Sequence, residues 1–187
     1  MIGNMCIANA QAINRLQYIR SDGTPYINTG VSGVYKATFE VAFGSSSGRT
    51  LMGQGQDAGS YFGKDASNRP ELGGSIYINA DFTQQTTAIF ERTSSAAVLT
   101  VGNSTVQRAG STYDSPFYIF RINDEAWATY AGVITLYSAK FENADGVLIR
   151  SYSPAKDADG IVCLYEGVSG EYVYGSGSGQ FTAGPEI

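Results

Sequence analysis

The chain is predicted to be all-β, folded as one antiparallel sandwich or barrel. Three observations lead there. Apolar and polar residues alternate with period two along most of the chain. The runs so patterned are short and end at Gly, Asn, Asp or Pro. Charged residues make up only 16%, while Gly (23), Tyr (13) and Phe (9) are plentiful. Aromatic and β-branched side chains pave sheet faces, and Gly turns the corners between strands. With 187 residues the chain suits one substantial domain, large enough to bury a core without staples or a metal.

Taken in order, residues 1–14 stand apart. Ile2, Met5, Cys6, Asn9 and Ile13 recur at helical spacing among Ala and Gln, which predicts a short helix or an extended arm. Residues 15–187 form the sandwich domain. "LQYIRSDGTPYINTG" (16–30) reads as two strand segments paired around a Ser-Asp-Gly turn, with Pro25 at the start of the second. "VYKATFEVAF" (34–43) is the clearest strand. Tyr35, Ala37, Phe39, Val41 and Phe43 face one way, Lys36, Thr38 and Glu40 the other, and its length marks it as central. "TLM" (50–52), "SYF" (60–62) and "SIYIN" (75–79) are shorter runs. "TTAIFER" (86–92) and "AAVLTV" (96–101) follow, and Gly102-Asn103 makes a two-residue hairpin turn into "STVQ". "FYIFRI" (117–122) and "GVITLYSAKFE" (132–142) are rich in β formers. "NADG" (143–146) turns into "VLIRSY", "DADG" (157–160) turns into "IVCLYE", and "EYVY" (171–174) precedes a Gly/Ser-rich turn between the closing strands.

Several function classes are excluded or disfavoured by composition. A net charge of −5 with no run of three basic residues does not suit a phosphate-tracking surface, so no nucleic-acid partner is expected, nor an anionic membrane surface. No stretch approaches the ~18 apolar residues of a membrane span, and the N-terminus lacks the basic and apolar regions of a signal peptide. Histidine is absent, which removes Ser-His-Asp and Cys-His chemistry. Cys6 and Cys163 are too far apart in sequence for a CxxC pattern and read as separate thiols. "GQGQDAG" (53–59) lacks the lysine of a phosphate cradle. Glycoside hydrolysis needs only two carboxylates, but Glu40, Glu91 and Glu142 form no spaced acid pair on one strand face, so the chain is read as non-enzymatic.

Two kinds of binding stay open. Asp57 and Asp65 with Asn68, and Asp157 with Asp159, are candidate calcium ligands in rim loops; the same residues serve equally as turn formers whose side chains bond their own backbone. No other cofactor is indicated. Trp127, the only tryptophan, lies in "NDEAWATYAG" with Asn123, Asp124 and Tyr130, residue types that suit a sugar's hydroxyls and faces. Tyr61 and Tyr113 could extend that surface. Trp127 could equally cap one end of the core.

The opening "LQYIRSDGTPYINTG" and the closing "ITLYSAKFENADGVLIRSYSPAKDADGIVCLYEGVSGEYVYGSGSGQFTAGP" resemble the signatures of laminin-G-like, concanavalin A-like jelly-roll modules. Such modules recur in bacteriophage and prophage virion proteins and in gut bacterial surface proteins. "VCLYEG" departs from the family's usual Gly and Asp at that strand, and residues 31–131 match only in strand pattern. The resemblance implies an antiparallel jelly roll whose first and last strands are neighbours. It also implies a non-enzymatic virion structural protein, of capsid-decoration, head-fibre or tail-fibre type, located in the virion as an extracellular particle and displaying a lectin-like domain for host-surface adhesion. A carbohydrate-binding module of a bacterial surface protein is the alternative, and a glycosidase a remote one. Expected partners are other virion proteins, docked through Ile2, Met5, Ile7 and Ile13 of the arm, host-surface glycans, and further copies of the chain in a closed homo-oligomer.

Overall fold

A computed structural model describes residues 13–45, 48–55, 59–93, 95–109, 115–123 and 131–187. Among these there is no helix. Seventeen strands fall into two antiparallel sheets, as the alternation predicts. The larger sheet has eleven strands. Its backbone is β11 (Ser104–Ala109), β10 (Ala96–Val101), β9 (Thr86–Arg92), β4 (Lys36–Phe43), β13 (Ile134–Glu142), β14 (Leu148–Lys156), β15 (Val162–Glu166) and β16 (Glu171–Val173), in that spatial order. Three short strands join it: β1 (Asn14–Arg15) on β14, and β2 (Ile19–Ser21) between β13 and β17 (Thr182–Ala183). The smaller sheet runs β3 (Ile27–Asn28), β12 (Tyr118–Ile119), β5 (Thr50–Gly53), β6 (Tyr61–Lys64), β7 (Pro70–Leu72) and β8 (Ile76–Tyr77).

β4 shows why the two sheets stack. Ala37, Phe39, Val41 and Phe43 are at most 1% exposed, while Lys36, Thr38, Glu40 and Ala42 between them are half-buried. Phe39 points at the smaller sheet. Its ring centroid lies 5.3 Å from Phe62 of β6, 5.7 Å from Phe117 and 5.9 Å from Phe141 of β13. Both sheets thus contribute to one apolar core, the arrangement of a β-sandwich. On the other face of the large sheet, β4 presents Glu40, whose carboxylate accepts a hydrogen bond from the Thr87 hydroxyl of β9.

The tight turns obey their sequences. β10 and β11 pair through Val101↔Ser104, with Gly102 at φ +58°. Asn143 closes the β13–β14 turn by accepting from the amides of Asp145 and Val147. The beginning and end of the described sandwich lie side by side: β17 pairs with β2, and Leu16 bridges Glu186.

Two expectations need correction. "LQYIRSDGTPYINTG" is not a hairpin. β2 belongs to the larger sheet and β3 to the smaller, so the Ser21–Pro25 turn carries the chain from one layer to the other. Polar side chains hold that corner. The Ser21 hydroxyl donates to the Pro25 carbonyl at 2.8 Å, Asp22 accepts from the Thr24 amide and hydroxyl, and Gly23 sits at φ +104°. Second, "FYIFRI" yields only the two-residue β12. Phe120 adopts φ +76°, unusual for an aromatic residue, and this breaks the alternation, so Ile119 and Phe120 both enter the core. Packing against Phe181, 4.9 Å away, offsets the strain. A strand the sequence reading did not include, β7 ("PEL"), lacks alternation because it is buried on both faces. Glu71 is tolerated there because its carboxylate meets the Arg49 guanidinium in a two-point pair.

Asn14, the last residue assigned to the arm from sequence, pairs with Lys156 of β14. Ile2, Met5, Cys6 and Ile7 of the arm lie outside the described residues; Ile13 is half-buried.

Candidate functional site

The turn between β14 and β15 faces the closing segment 174–181, and between them lies a cavity of about 390 Å³. "DADG" builds one wall. Asp157 Oδ1 accepts from the amides of Asp159 at 3.0 Å and Ile161 at 2.8 Å, and the Gly160 amide donates to the Asp157 carbonyl. This is an aspartate closing its own turn. The remaining oxygen, Oδ2, accepts from the Tyr174 hydroxyl at 2.9 Å. The Tyr174 ring is 47% exposed yet tethered at its far end.

"YGSGSGQF" builds the other wall. It is pinned by Ser176, which exchanges two backbone hydrogen bonds with Tyr26 on the segment leading into β3. Phe181 packs so closely over Gly175 that a Cβ there would lie 2.8 Å from its ring. The Tyr174 ring, the apolar residues Ile161, Val162 and Phe181, and the polar residues Asp159 and Gln180 therefore line one space. Neither Asp159 nor Gln180 has a side-chain partner among the described residues.

The electrostatics follow from these contacts. The hydrogen bond to Asp157, followed by desolvation, pushes the Tyr174 phenol up to about 12, so it stays a donor. Desolvation opposes ionisation of Asp157, but the Ile161 amide, the Tyr174 hydroxyl and further backbone amides outweigh it and hold the carboxyl below the ordinary range. Cys163 lies fully buried nearby as a free thiol; burial, with the charge of Asp157 adding, pushes it up to about 11. Such a thiol is inert rather than nucleophilic.

Of the residues expected from sequence to bind ligands, Asp159 lines this cavity and Asp157 braces its wall, whereas Tyr61, Asn123 and Asp65 lie elsewhere. Tyr61 lies in β6, 2% exposed, clustered with Leu51 and Ile122, so its ring is core and not stacking surface. Asn123 is half-buried and donates to the Pro116 carbonyl at 3.0 Å. Trp127, Tyr130, Asp124 and Tyr113 lie outside the described residues, as does Asp57. Asp65 directs both carboxylate oxygens into its own turn: Oδ1 accepts from the amides of Ser67 and Arg69, and Oδ2 from the Arg69 guanidinium at 2.7 and 2.9 Å. That is the turn-forming role.

No family model, no curated protein and no solved structure matches the chain. Tyr174 left one trace in the sequence: an aromatic ending an alternating run directly before a Gly/Ser stretch, where a strand-end ring meets a close-packed loop.

Proposed function

We propose that this protein is a non-enzymatic structural protein of a bacteriophage particle, displaying a lectin-like jelly roll that holds host-surface glycans in the Tyr174 cavity. The observation that carries the glycan part is the tethered, half-exposed Tyr174 ring with the Asp159 carboxylate and Gln180 amide beside it. A sugar presents an apolar face for the ring and hydroxyls for the polar pair, and a ring fixed in advance loses little entropy on binding. The volume lies within the usual range of ligand pockets.

The particle part is supported by the resemblance of residues 16–30 and 134–185 to phage-borne jelly rolls, whose terminal strands commonly pair, and by the pairing of the early strand β2 with the last strand β17. The non-enzymatic part is supported by the lack of histidine and by the engagement of Glu40 and Asp157 in local hydrogen bonds. Weak single-site binding suits a displayed domain, because many copies on one particle raise avidity.

The test is a glycan array with the wild type and Tyr174→Ala, alongside an assay for released reducing ends. Selective binding by the wild type, at least tenfold weaker in the variant, with no sugar release, is the expected result. Absence of binding at high protein density, or equal binding by the variant, overturns the glycan reading; release of reducing ends overturns the non-enzymatic one. Immunogold labelling of particles induced from the encoding host tests the location: label on the particle is expected, and unlabelled particles refute it.

A further inference from the structure

We propose that the outward face of the large sheet carries a second binding site, centred on Arg20, for the carboxylate of an acidic saccharide. Strand register forms the floor. Arg20 of β2 lies opposite Thr135 of β13 on one side and Thr182 of β17 on the other, and Thr135 in turn lies opposite Ala42 of β4. Neighbouring strands are ~4.8 Å apart, so Arg20, Thr135 and Ala42 make a row roughly 10 Å long. The residues flanking each of them in sequence point into the core: Ile19, Ile134, Leu136, Val41 and Phe43 are all buried.

The row is a groove because its centre is small. Thr135 and Ala42 are short, and Gly44 lets Val133 approach until a Cβ there would lie 2.6 Å from the valine's own. The loop before β9 raises one wall with Thr83 and Gln84. Asp81 fixes that wall by accepting from the Thr83 amide at 2.8 Å and the Thr83 hydroxyl at 2.7 Å. The open groove has a volume of about 290 Å³.

The charge is one-sided. Among the described residues, Arg20 is the single ionised side chain lining the groove, and no carboxylate lines it. It is exposed and has no hydrogen-bond or ion-pair partner among the described residues. The acids of the surrounding elements are engaged: Asp22, two residues on from Arg20, by the Thr24 amide and hydroxyl, Glu40 by the Thr87 hydroxyl and Asp81 by Thr83. In a protein of net charge −5, an unpaired guanidinium among hydroxyls and an amide is a locally positive spot. Its planar fork matches a carboxylate in two parallel hydrogen bonds, which an ammonium does not. Thr135, Thr83 and Gln84 then face the hydroxyls of the ring that bears the carboxylate, and Ala42 its apolar side.

The saccharide part of this assignment rests on the glycan-binding reading; the anion part does not. The experiment is an amide chemical-shift titration of the folded protein with glucuronate, galacturonate and N-acetylneuraminate, with glucose and galactose as neutral controls and acetate as the bare anion. Saturable shifts at Ala42, Thr83 and Thr135 with at least one acidic sugar are expected, with neutral sugars and acetate at least tenfold weaker. Arg20→Gln should lose at least tenfold and Arg20→Lys several-fold, both with unchanged spectra elsewhere, while Tyr174→Ala leaves these shifts intact. Loss of the Tyr174 response alone therefore refutes only the first site. Acidic sugars that fail to shift these amides, an Arg20→Gln variant that binds as the wild type does, or neutral sugars that bind equally, overturn the proposal. Acetate binding as tightly as the sugars overturns its saccharide part.

Discussion

Replacing Phe39 by Ala measures the interaction between the two sheets. Phe39 is fully buried on β4 and touches aromatic rings from both layers, Phe62 across the core and Phe141 on the adjacent strand. Withdrawing its ring forfeits about 2 kcal/mol of burial. If the neighbours do not relax, a void of about 100 Å³ at ~24 cal/mol per Å³ adds roughly 2.4 kcal/mol. The sum, about 4 kcal/mol, falls inside the usual range for Phe→Ala in a core. For a chain of this size it lowers Tm by roughly 8–16 °C. The assay is equilibrium urea unfolding followed by both fluorescence and far-UV circular dichroism. The midpoint should fall with an unchanged slope, and the two probes should coincide. Thr38→Ala, one residue along and facing away from the core, should stay within about 0.5 kcal/mol. A Phe39/Phe62 double-mutant cycle should return a coupling of roughly 0.5–1.5 kcal/mol. A cost below about 1 kcal/mol for Phe39→Ala, or two separated transitions, would show that the sheets do not share a core and would refute the sandwich argument.

The other predictions concern turns, acid and thiol chemistry. Gly63→Ala on β6 should prevent soluble expression or cost several kcal/mol, because the new Cβ would fall on the Thr50 carbonyl oxygen of the paired strand; a variant as stable as the wild type would contradict the strand pairing. Asp65, Asp157 and Glu166 each resist desolvation through amide or guanidinium donors that keep their carboxyls below the ordinary range. Their contribution is present above ordinary carboxylate values and is lost as pH falls through the lowered ones, so unfolding free energy should decline below about pH 4. Glu71 works the other way, since burial pushes its carboxyl up against the pull of Arg49. Asp157→Asn keeps an acceptor for the turn and should flatten part of the acid limb; an unchanged slope in pH-dependent unfolding would count against the Asp157 account. The Cys163 thiol should resist iodoacetamide in the native protein and react on unfolding, read by mass spectrometry of its peptide; rapid native labelling would contradict its burial.

Half-buried strands were legible because they alternate. "TTAIFER" and "AAVLTV" coincide with β9 and β10 residue for residue, since one face of each meets the core and the other meets water. β7 was not legible, since burial on both faces leaves no alternation to read, and its Glu71 depends on Arg49, 22 residues away. The 16–30 segment has a hairpin's local chemistry, but whether a turn returns within a sheet or passes to the facing one is decided by distant partners, here β13 and β12. The candidate site shares that difficulty. Tyr174 gains its meaning from Asp157, 17 residues earlier, and nothing in "EYVY" announces that bond.

The proximity of Arg15 and Ile187, joined by a hydrogen bond of 3.1 Å from the Ile187 amide to the Arg15 carbonyl, makes the covalent order of the strands dispensable. In a chain lacking residues 1–14, a short loop could splice Ile187 to Arg15, and the chain could be reopened at the exposed Gly102-Asn103 hairpin without disturbing a buried residue. Such a circular permutant would present β11 first and β10 last around the same core. Cargo fused at Arg15 or at Ile187 would leave the domain from the same corner.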